Sequence, residues 1–329
     1  MKLLKAIEIF IVARVAEGYS ANTLAYYKLY LHRLSKFLDN PNLDDIQSTD
    51  LQRYFSWLRT EYIPNRASGD TSPLKPVSLS NHWAALRSFF GWTSEEFGTT
   101  RPDTNLKAPR FLNSVVIPFS KEDIVLLLKA VEYTKTSDTI KRKAFKMKRK
   151  TAKRDRAIIL LFLETGIRAS ECARLKMRDI SLPEMGNGIT QGRVVIEPYG
   201  SGHKSKGRIV HITAATIKAL MVYHAEDRMD KLYPDDPVLA TKDNRPMNRN
   251  SIRQMLIKTG KRAGVENANP HRFRHTFAIE FLRNGGNPFV LQKLIGHSTL
   301  DMVKRYLHIV QSDLAEAQQS ASPVVRWRL

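Results

Sequence analysis

The pattern of apolar and polar positions divides the chain into a helical first third and a mixed remainder. Helical periodicity runs almost unbroken from residue 3 to residue 97. The opening MKLLKAIEIFIVARVAEG begins like a leader peptide. Glu8, Arg14 and Glu17 interrupt it at helical spacing and no small-residue cleavage site follows, so a first amphipathic helix is expected. Ser20 stands where it would cap a second helix, TLAYYKLYLHRLSKFL, which Asp39-Asn40-Pro41 stops. A third is expected from Leu43 to Tyr62, then the turn-rich NRASGDTSPLKP, then a fourth from near Ser78 to Gly98. Aromatic residues of these helices, among them Tyr26, Trp57, Phe89 and Trp92, are expected mostly in the core.

Periodicity lapses in GTTRPDTNLKAPRFLNSVV, which reads as a basic linker carrying Arg101, Lys107 and Arg110. The expected divisions are 1–100, a linker at 101–117, and 118–329. Ser120 to Asp123 has the form of a capping box ahead of IVLLLKAVEY. A dense basic run follows over 135–154, including Lys141, Arg142, Lys143, Lys146, Lys148, Arg149 and Lys150. It reads either as a solvated loop or as an arm that contacts phosphates, and the charge of the whole chain favours the arm. The apolar AIILLFLET stops at Gly166, and IRASECARLKMRDI is expected as the next helix. VVIE near 194–197 and RIVHI at 208–212 suggest a hairpin whose tip lies in PYGSGHKSKG. Helices are then expected from Thr213 to near Lys231 and from Asn250 to Ala263. Beyond them, Gly285, Gly286, Pro288 and Gly296 cut HRFRHTFAIEFLRNGGNPFVLQKLIGHSTLDMVKRY into short helices. The final SDLAEAQQSASPVVRWRL is expected to be helical at first and then frayed. The fold class is mainly α with a small β-hairpin or sheet.

Charge narrows the partner. A formal net charge of +21 and a pI near 10.0 point to a polyanion: DNA, RNA or, less readily, an acidic membrane surface. No apolar run is long enough for a membrane-spanning helix, and no membrane partner is expected. The lone Cys172 excludes an intramolecular disulfide and fits a reducing cytosol.

Candidate chemistry gathers near the C-terminus. His271 and Arg274 stand three apart on one helical face, His297 follows Gly296, and Tyr306 comes nine residues later. Upstream, Arg168 lies in TGIRASE, one turn before Glu171. Imidazoles, guanidiniums and a phenol suit an anionic phosphate better than a metal, and a guanidinium can hold two phosphate oxygens at once. Each residue alone has a bland reading. Arg168 would be a surface partner of Glu171, His297 a helix cap, and Tyr306 ordinary packing beside Leu300, Val303 and Leu307. His271 and His275 at i,i+4 look like half a zinc site, but Arg272 and Arg274 would repel a cation and no HExxH glutamate is present; no metal is expected.

Together, TGIRASE, GHKSKGR, HRFRHT, IGH and KRYLH resemble the tyrosine recombinases, or phage integrase family, with Xer-like members nearest in size. The resemblance covers residues 120 to 310 well and the helical N-terminal part more loosely. It implies an all-α SAM-like core-binding domain followed by a mixed α/β catalytic domain. It also implies an enzyme in which Tyr306 attacks a DNA phosphodiester, leaving a 3′-phosphotyrosine and a free 5′-hydroxyl. Arg168 and Arg274 would hold the phosphate, and His271 would help take the phenolic proton. Lys204 would protonate the leaving oxygen, His297 would donate a hydrogen bond, and Glu171 would orient its neighbours. Lys206 competes with Lys204 for the hairpin role; the glycines at 200 and 202 favour Lys204. No cofactor would be needed, because one phosphodiester is exchanged for another. The expected partners are duplex recombination sites and sister protomers, four on two sites, with the tail after Tyr306 docking on a neighbour. No further small domain is expected before the first helix, and the expectation leans towards a Xer-like or simple mobile-element enzyme acting in the cytoplasm on the nucleoid. A type IB topoisomerase, or a non-catalytic DNA-binding protein of the same fold, are the alternatives.

Overall fold

The computed structural model describes residues 1–66, 69–110, 117–134, 137–139, 142–145, 147–181, 191–198, 207–228, 232–296, 300–310 and 322–327; at 137–139, 142–145, 301, 308 and 325–326 only the backbone is considered. The chain divides between residues 110 and 117 into two compact units.

The first unit contains four helices: α1 (Leu3–Ala16), α2 (Ala21–Phe37), α3 (Ser48–Thr60) and α4 (Pro76–Phe97). Ser20 caps α2 as expected, its hydroxyl accepting from the Thr23 N–H at 3.2 Å. Gly98 closes α4 in the left-handed conformation. The third helix starts later than expected. Leu43–Asp45 form a single 3₁₀ turn, and the Gln47–Asp50 capping box sets the true start. Phe10 anchors the core, its ring 5.3 Å from Tyr27 and 5.4 Å from Phe89 and Trp92. Tyr26, by contrast, is 57% exposed. The stretch expected as a bare linker is folded back on these helices as far as Leu106. Ser48 Oγ donates to the Pro102 carbonyl at 2.6 Å, Trp83 Nε1 to Leu106 O at 2.8 Å, and Asp103 is fully buried.

The second unit is built around α6 (Ala152–Thr165), which packs against α5 (Lys121–Glu132), α8 (Ala214–Tyr223) and α10 (Pro270–Arg283). Its Ala157, Ile158, Ile159, Leu161 and Phe162 are all buried, so α6 is apolar around most of its circumference and sits at the centre. β3 (Ile180–Ser181), β4 (Gln191–Ile196) and β5 (Arg208–Thr213) form an antiparallel sheet in that order. Side chains alternate on β5, with Val210 and Ile212 inward. α7 (Ala169–Cys172), α9 (Arg249–Ala263), α11 (Pro288–Ile295) and α12 (Asp301–Val310) complete the unit, with a helical turn at Pro323–Trp327.

Two expectations of helix length are corrected here. The helix expected over IRASECARLKMRDI is only the four residues of α7, because the backbone beyond it bonds elsewhere. Met177 N–H and Arg178 N–H donate to the carbonyls of Asp236 and Pro234, each at 2.9 Å. The helix expected to reach Lys231 ends at Tyr223 and passes into a π-helical turn, His224–Arg228. The basic run is not a plain loop. Its backbone forms an antiparallel ladder between β1 (Ser137–Thr139) and β2 (Arg142–Phe145).

One glycine on α9 sits where another element presses close. A Cβ on Gly260 would stand 2.5 Å from Ala268 Cβ and 2.7 Å from the Val265 carbonyl. Gly260→Ala gains about 1 kcal/mol of helix propensity but overpacks at a cost of about 1–3 kcal/mol. A net loss of stability, read as a lower urea midpoint, is expected.

Candidate active site

Gly166 ends α6 with φ 58, a conformation that admits glycine readily, and a Cβ there would lie 2.5 Å from the Phe277 ring. The turn it makes delivers Arg168 to the N-cap of α7. Arg168 is bound at both ends to Glu171: its backbone N–H donates to Oε2 at 2.9 Å and its guanidinium to Oε1 at 2.9 Å. Arg208 takes the same carboxylate from the other side, at 3.1 Å to Oε1 and 2.8 Å to Oε2. Burial alone would raise the Glu171 pKa, but Arg208, then Arg168, hold it down to about 2. Glu171 is therefore a carboxylate at any ordinary pH, serving two arginines.

The C-terminal end of α11 is the second anchor. Its last carbonyls have no helical partners, and three guanidiniums supply them. Arg208 Nε donates to Leu294 O at 2.6 Å, Arg274 to Ile295 O, and Arg168 to Gly296 O at 3.1 Å. Cations at this end also meet the negative pole of the helix. Arg274 makes a further bond, at 2.8 Å, to Gly166 O, so it joins the end of α11 to the end of α6. Desolvation, with Arg168 close by, lowers its pKa to about 9, which leaves it a cation at neutral pH. Two of the five N–H bonds on each of Arg168 and Arg274 are engaged among the described residues, so donors remain for a ligand.

Asn269 caps α10 and Pro270 occupies its first turn, which places His271 at the exposed start of the helix. Partial desolvation and then four arginines (Arg274, Arg168, Arg249 and Arg253) lower the His271 pKa, so the ring is neutral at pH 7. Tyr306 on α12 is 2% exposed and packs among Ala278, Ile279, Leu282, Leu291, Ile295 and Val303. Its hydroxyl lies 2.8 Å from His275 Nδ1. Burial raises the Tyr306 pKa, against the lowering effect of Arg274, Arg305 and Arg168.

Of the six residues expected to do chemistry, the described structure brings together Arg168, His271, Arg274 and Tyr306, with Glu171 in support. Lys204, its competitor Lys206, and His297 lie outside the described residues. Cys172 is buried and burial pushes its thiol pKa up, so it stays a thiol. Among the basic residues proposed for DNA, Lys107, Arg110, Lys148 and Lys150 are exposed. Arg101 is tied to Asp103 at 2.7 Å, and Arg149 to Asp155 at 2.8 Å. Arg142 and Lys143 lie on β2 by backbone only; Lys141 and Lys146 are outside the described residues.

Two participants were not anticipated. Arg208 shares a strand face with Val210 and Ile212, and that alternation is the signal: a guanidinium on an inward face requires a buried acid. His275 stands one helical turn after His271, so the same spacing that suggested a zinc ligand brings it to Tyr306 instead.

This chain belongs to the phage integrase family, the tyrosine recombinases, enzymes that cleave and rejoin DNA strands. The family profile matches residues 120–312, and the profile of the phage integrase N-terminal SAM-like domain matches residues 7–97. Over 314 residues the chain is 27% identical to tyrosine recombinase XerC of Staphylococcus saprophyticus subsp. saprophyticus, covering 94% of each protein. The XerC of Staphylococcus haemolyticus matches at the same identity and coverage, 27% and 94% of each. The fold is that of the Tn1549 transposon integrase in complex with transposon right end DNA: TM-score 0.67 at 18% identity, covering 98% of this chain and 99% of that one. A lambda integrase dimer bound to a COC′ core site superposes with TM-score 0.66 at 16% identity, over 93% of this chain and 95% of that one.

Proposed function

We propose that this protein is a site-specific recombinase that exchanges strands of duplex DNA through a covalent 3′-phosphotyrosine at Tyr306. The observation that carries the reading is the pair of arginines, Arg168 and Arg274. Both are fixed to the end of α11 with donors unengaged among the described residues, beside a buried tyrosine whose pKa is raised by burial, a rise their charge opposes. In this reading Arg168 and Arg274 bind the non-bridging oxygens and neutralise the charge that builds on phosphorus. His271, at the exposed edge of the same cationic face, meets the phosphate. Lys204 protonates the departing 5′-oxygen and His297 donates to the phosphate, as the motif order suggests. Phosphoester exchange conserves bond energy, so no nucleotide is consumed. Exposed Lys107, Arg110, Lys148 and Lys150 would track the backbone of the duplex. Four protomers on two sites, each tail after Tyr306 reaching a neighbour, and action in the cytoplasm on the nucleoid, are the assembly and setting this reading implies.

The test is a nicked duplex that traps the cleaved state, incubated with the full chain in EDTA. A denaturation-resistant adduct is expected, with the DNA attached to the peptide that contains Tyr306. Specific binding without an adduct would oppose the reading. Supercoil relaxation without any joining of two sites would point to a topoisomerase.

A further inference from the structure

We infer that His275, rather than His271, receives the proton of Tyr306 when the phenol attacks DNA; the inference rests on the recombinase reading above. Nδ1 of His275 lies 2.8 Å from the hydroxyl, and the rings are tilted by 58° with centroids 5.6 Å apart. Among the described residues His275 is the sole hydrogen-bond partner of that hydroxyl. The apolar residues packed around the tyrosine include Ala278, Ile279, Leu282, Leu291, Ile295 and Val303, with Arg274, Arg305 and Arg168 as the nearby charges. A phenol so enclosed satisfies its proton only by donating it, so Nδ1 is the acceptor and Nε2 carries the ring hydrogen.

Desolvation, then His271 and Arg274, lower the His275 pKa to about 4, so at neutral pH the ring is free to accept. The charged and titratable groups facing the pair are His271 and Arg274 on α10, Arg168 before α7, and Arg305 on α12. Apart from His271 all are cations, and they oppose an imidazolium while the site is empty. A bound phosphate brings negative charge between Arg168 and Arg274 and relieves that opposition, so the base strengthens as substrate arrives.

The step balances. Oη forms a bond to phosphorus as its proton passes to Nδ1, and the P–O5′ bond breaks with its electron pair going to the 5′-oxygen. That oxygen takes a proton from a separate acid. On rejoining, the 5′-hydroxyl attacks and the imidazolium returns its proton to the phenolate. His271 does not share this position: it lies one turn earlier, exposed, among Arg274, Arg168, Arg249 and Arg253, where the phosphate itself belongs.

The experiment uses the full chain and a duplex it selects from a randomised pool, nicked to trap cleavage, with single-turnover adduct formation followed against pH. His275→Ala and His275→Asn are expected to slow the step by about 10²–10⁴-fold with DNA affinity unchanged, and His275→Asn, which keeps an acceptor for the phenol, with the melting temperature unchanged as well. Asparagine can still accept a hydrogen bond from the phenol but cannot carry its proton, so it separates proton transfer from positioning. Added imidazole should restore part of the His275→Ala rate. A substrate with sulfur in place of the 5′-bridging oxygen, whose leaving group needs no acid, should not. A His275→Asn rate within about threefold of wild type would reduce His275 to a positioning residue, since proton transfer is worth far more. Rescue by the sulfur substrate would move His275 to the leaving-group side. A loss confined to His271→Asn would return the role to His271. If the wild-type chain binds its selected duplex and gives no adduct, the recombinase reading fails, and this inference with it.

Discussion

Arg274→Ala is expected to lower the rate of adduct formation by about 10³-fold or more, and Arg274→Lys by about 10²-fold. Two losses combine in alanine. The phosphate loses a cation that is buried and already oriented, and the carbonyls of Gly166 and Ile295 lose the donor that joins the ends of α6 and α11. Lysine keeps the charge. It cannot span two carbonyls and still present donors to a phosphate, because its ammonium is a point and not a fork. Single-turnover cleavage of the trapped duplex measures both variants, with a melting curve to separate folding from chemistry. A lysine variant that cleaved within a few-fold of wild type would show that charge alone suffices.

Arg208→Ala is expected to have the largest effect on stability, although Arg208 is not itself a candidate for touching DNA. Its side chain is 6% exposed and that of Glu171 3%, so removing Arg208 leaves a buried carboxylate with Arg168 alone. Breaking one side of such a pair costs about 3–5 kcal/mol. The pH dependence carries a sign that can be checked. Glu171 is held at about 2, below the ordinary 4.5 of its carboxyl, so it contributes stability that is complete above 4.5 and is lost as pH falls towards 2. A depression of that size corresponds to about 3 kcal/mol. Urea midpoints of wild type and Arg208→Ala should therefore differ most near neutrality and converge in acid. A constant gap across that range would mean that Arg208 acts through packing and not through the charge of Glu171.

The helices and the main site were legible because local rules decide them. Ser20, Ser120, Gly98 and Gly166 act as caps where caps were expected, and a motif spread over three segments placed Arg168, His271, Arg274 and Tyr306 around one feature. The early end of α7 is a case where a distant segment outcompetes the local signal. α7 stops early because residues 177 and 178 find carbonyls at 236 and 234, fifty-odd positions away in sequence, which no helical period can reveal. The basic run pairs with itself as β1 and β2, and its strands, SDT and RKAF, carry no apolar alternation that would announce them. Arg208 is legible only from the direction of its side chain on β5, shared with Val210 and Ile212. His275 stands at zinc-ligand spacing from His271, yet its partner is Tyr306. Its periodicity was visible, whereas the packing of α12 against α10 was not.

The grip on α11 has a consequence for how related sequences can diverge. Arg168, Arg208 and Arg274 hold Leu294, Ile295 and Gly296 by main-chain oxygens, so the contact is indifferent to the side chain that each carbonyl belongs to. Substitution on the exposed side of α11 can accumulate without disturbing it. Gly296 is the exception, since its φ of 64 and the guanidinium of Arg208, 3.0 Å from where a Cβ would stand, both resist replacement. Length is a different matter. Inserting or deleting one residue in α11 turns the remaining carbonyls by about 100° and shifts them by about 1.5 Å, which takes all three out of register at once. Lineages of this protein should tolerate spelling changes in the helix and reject any change in its count of letters.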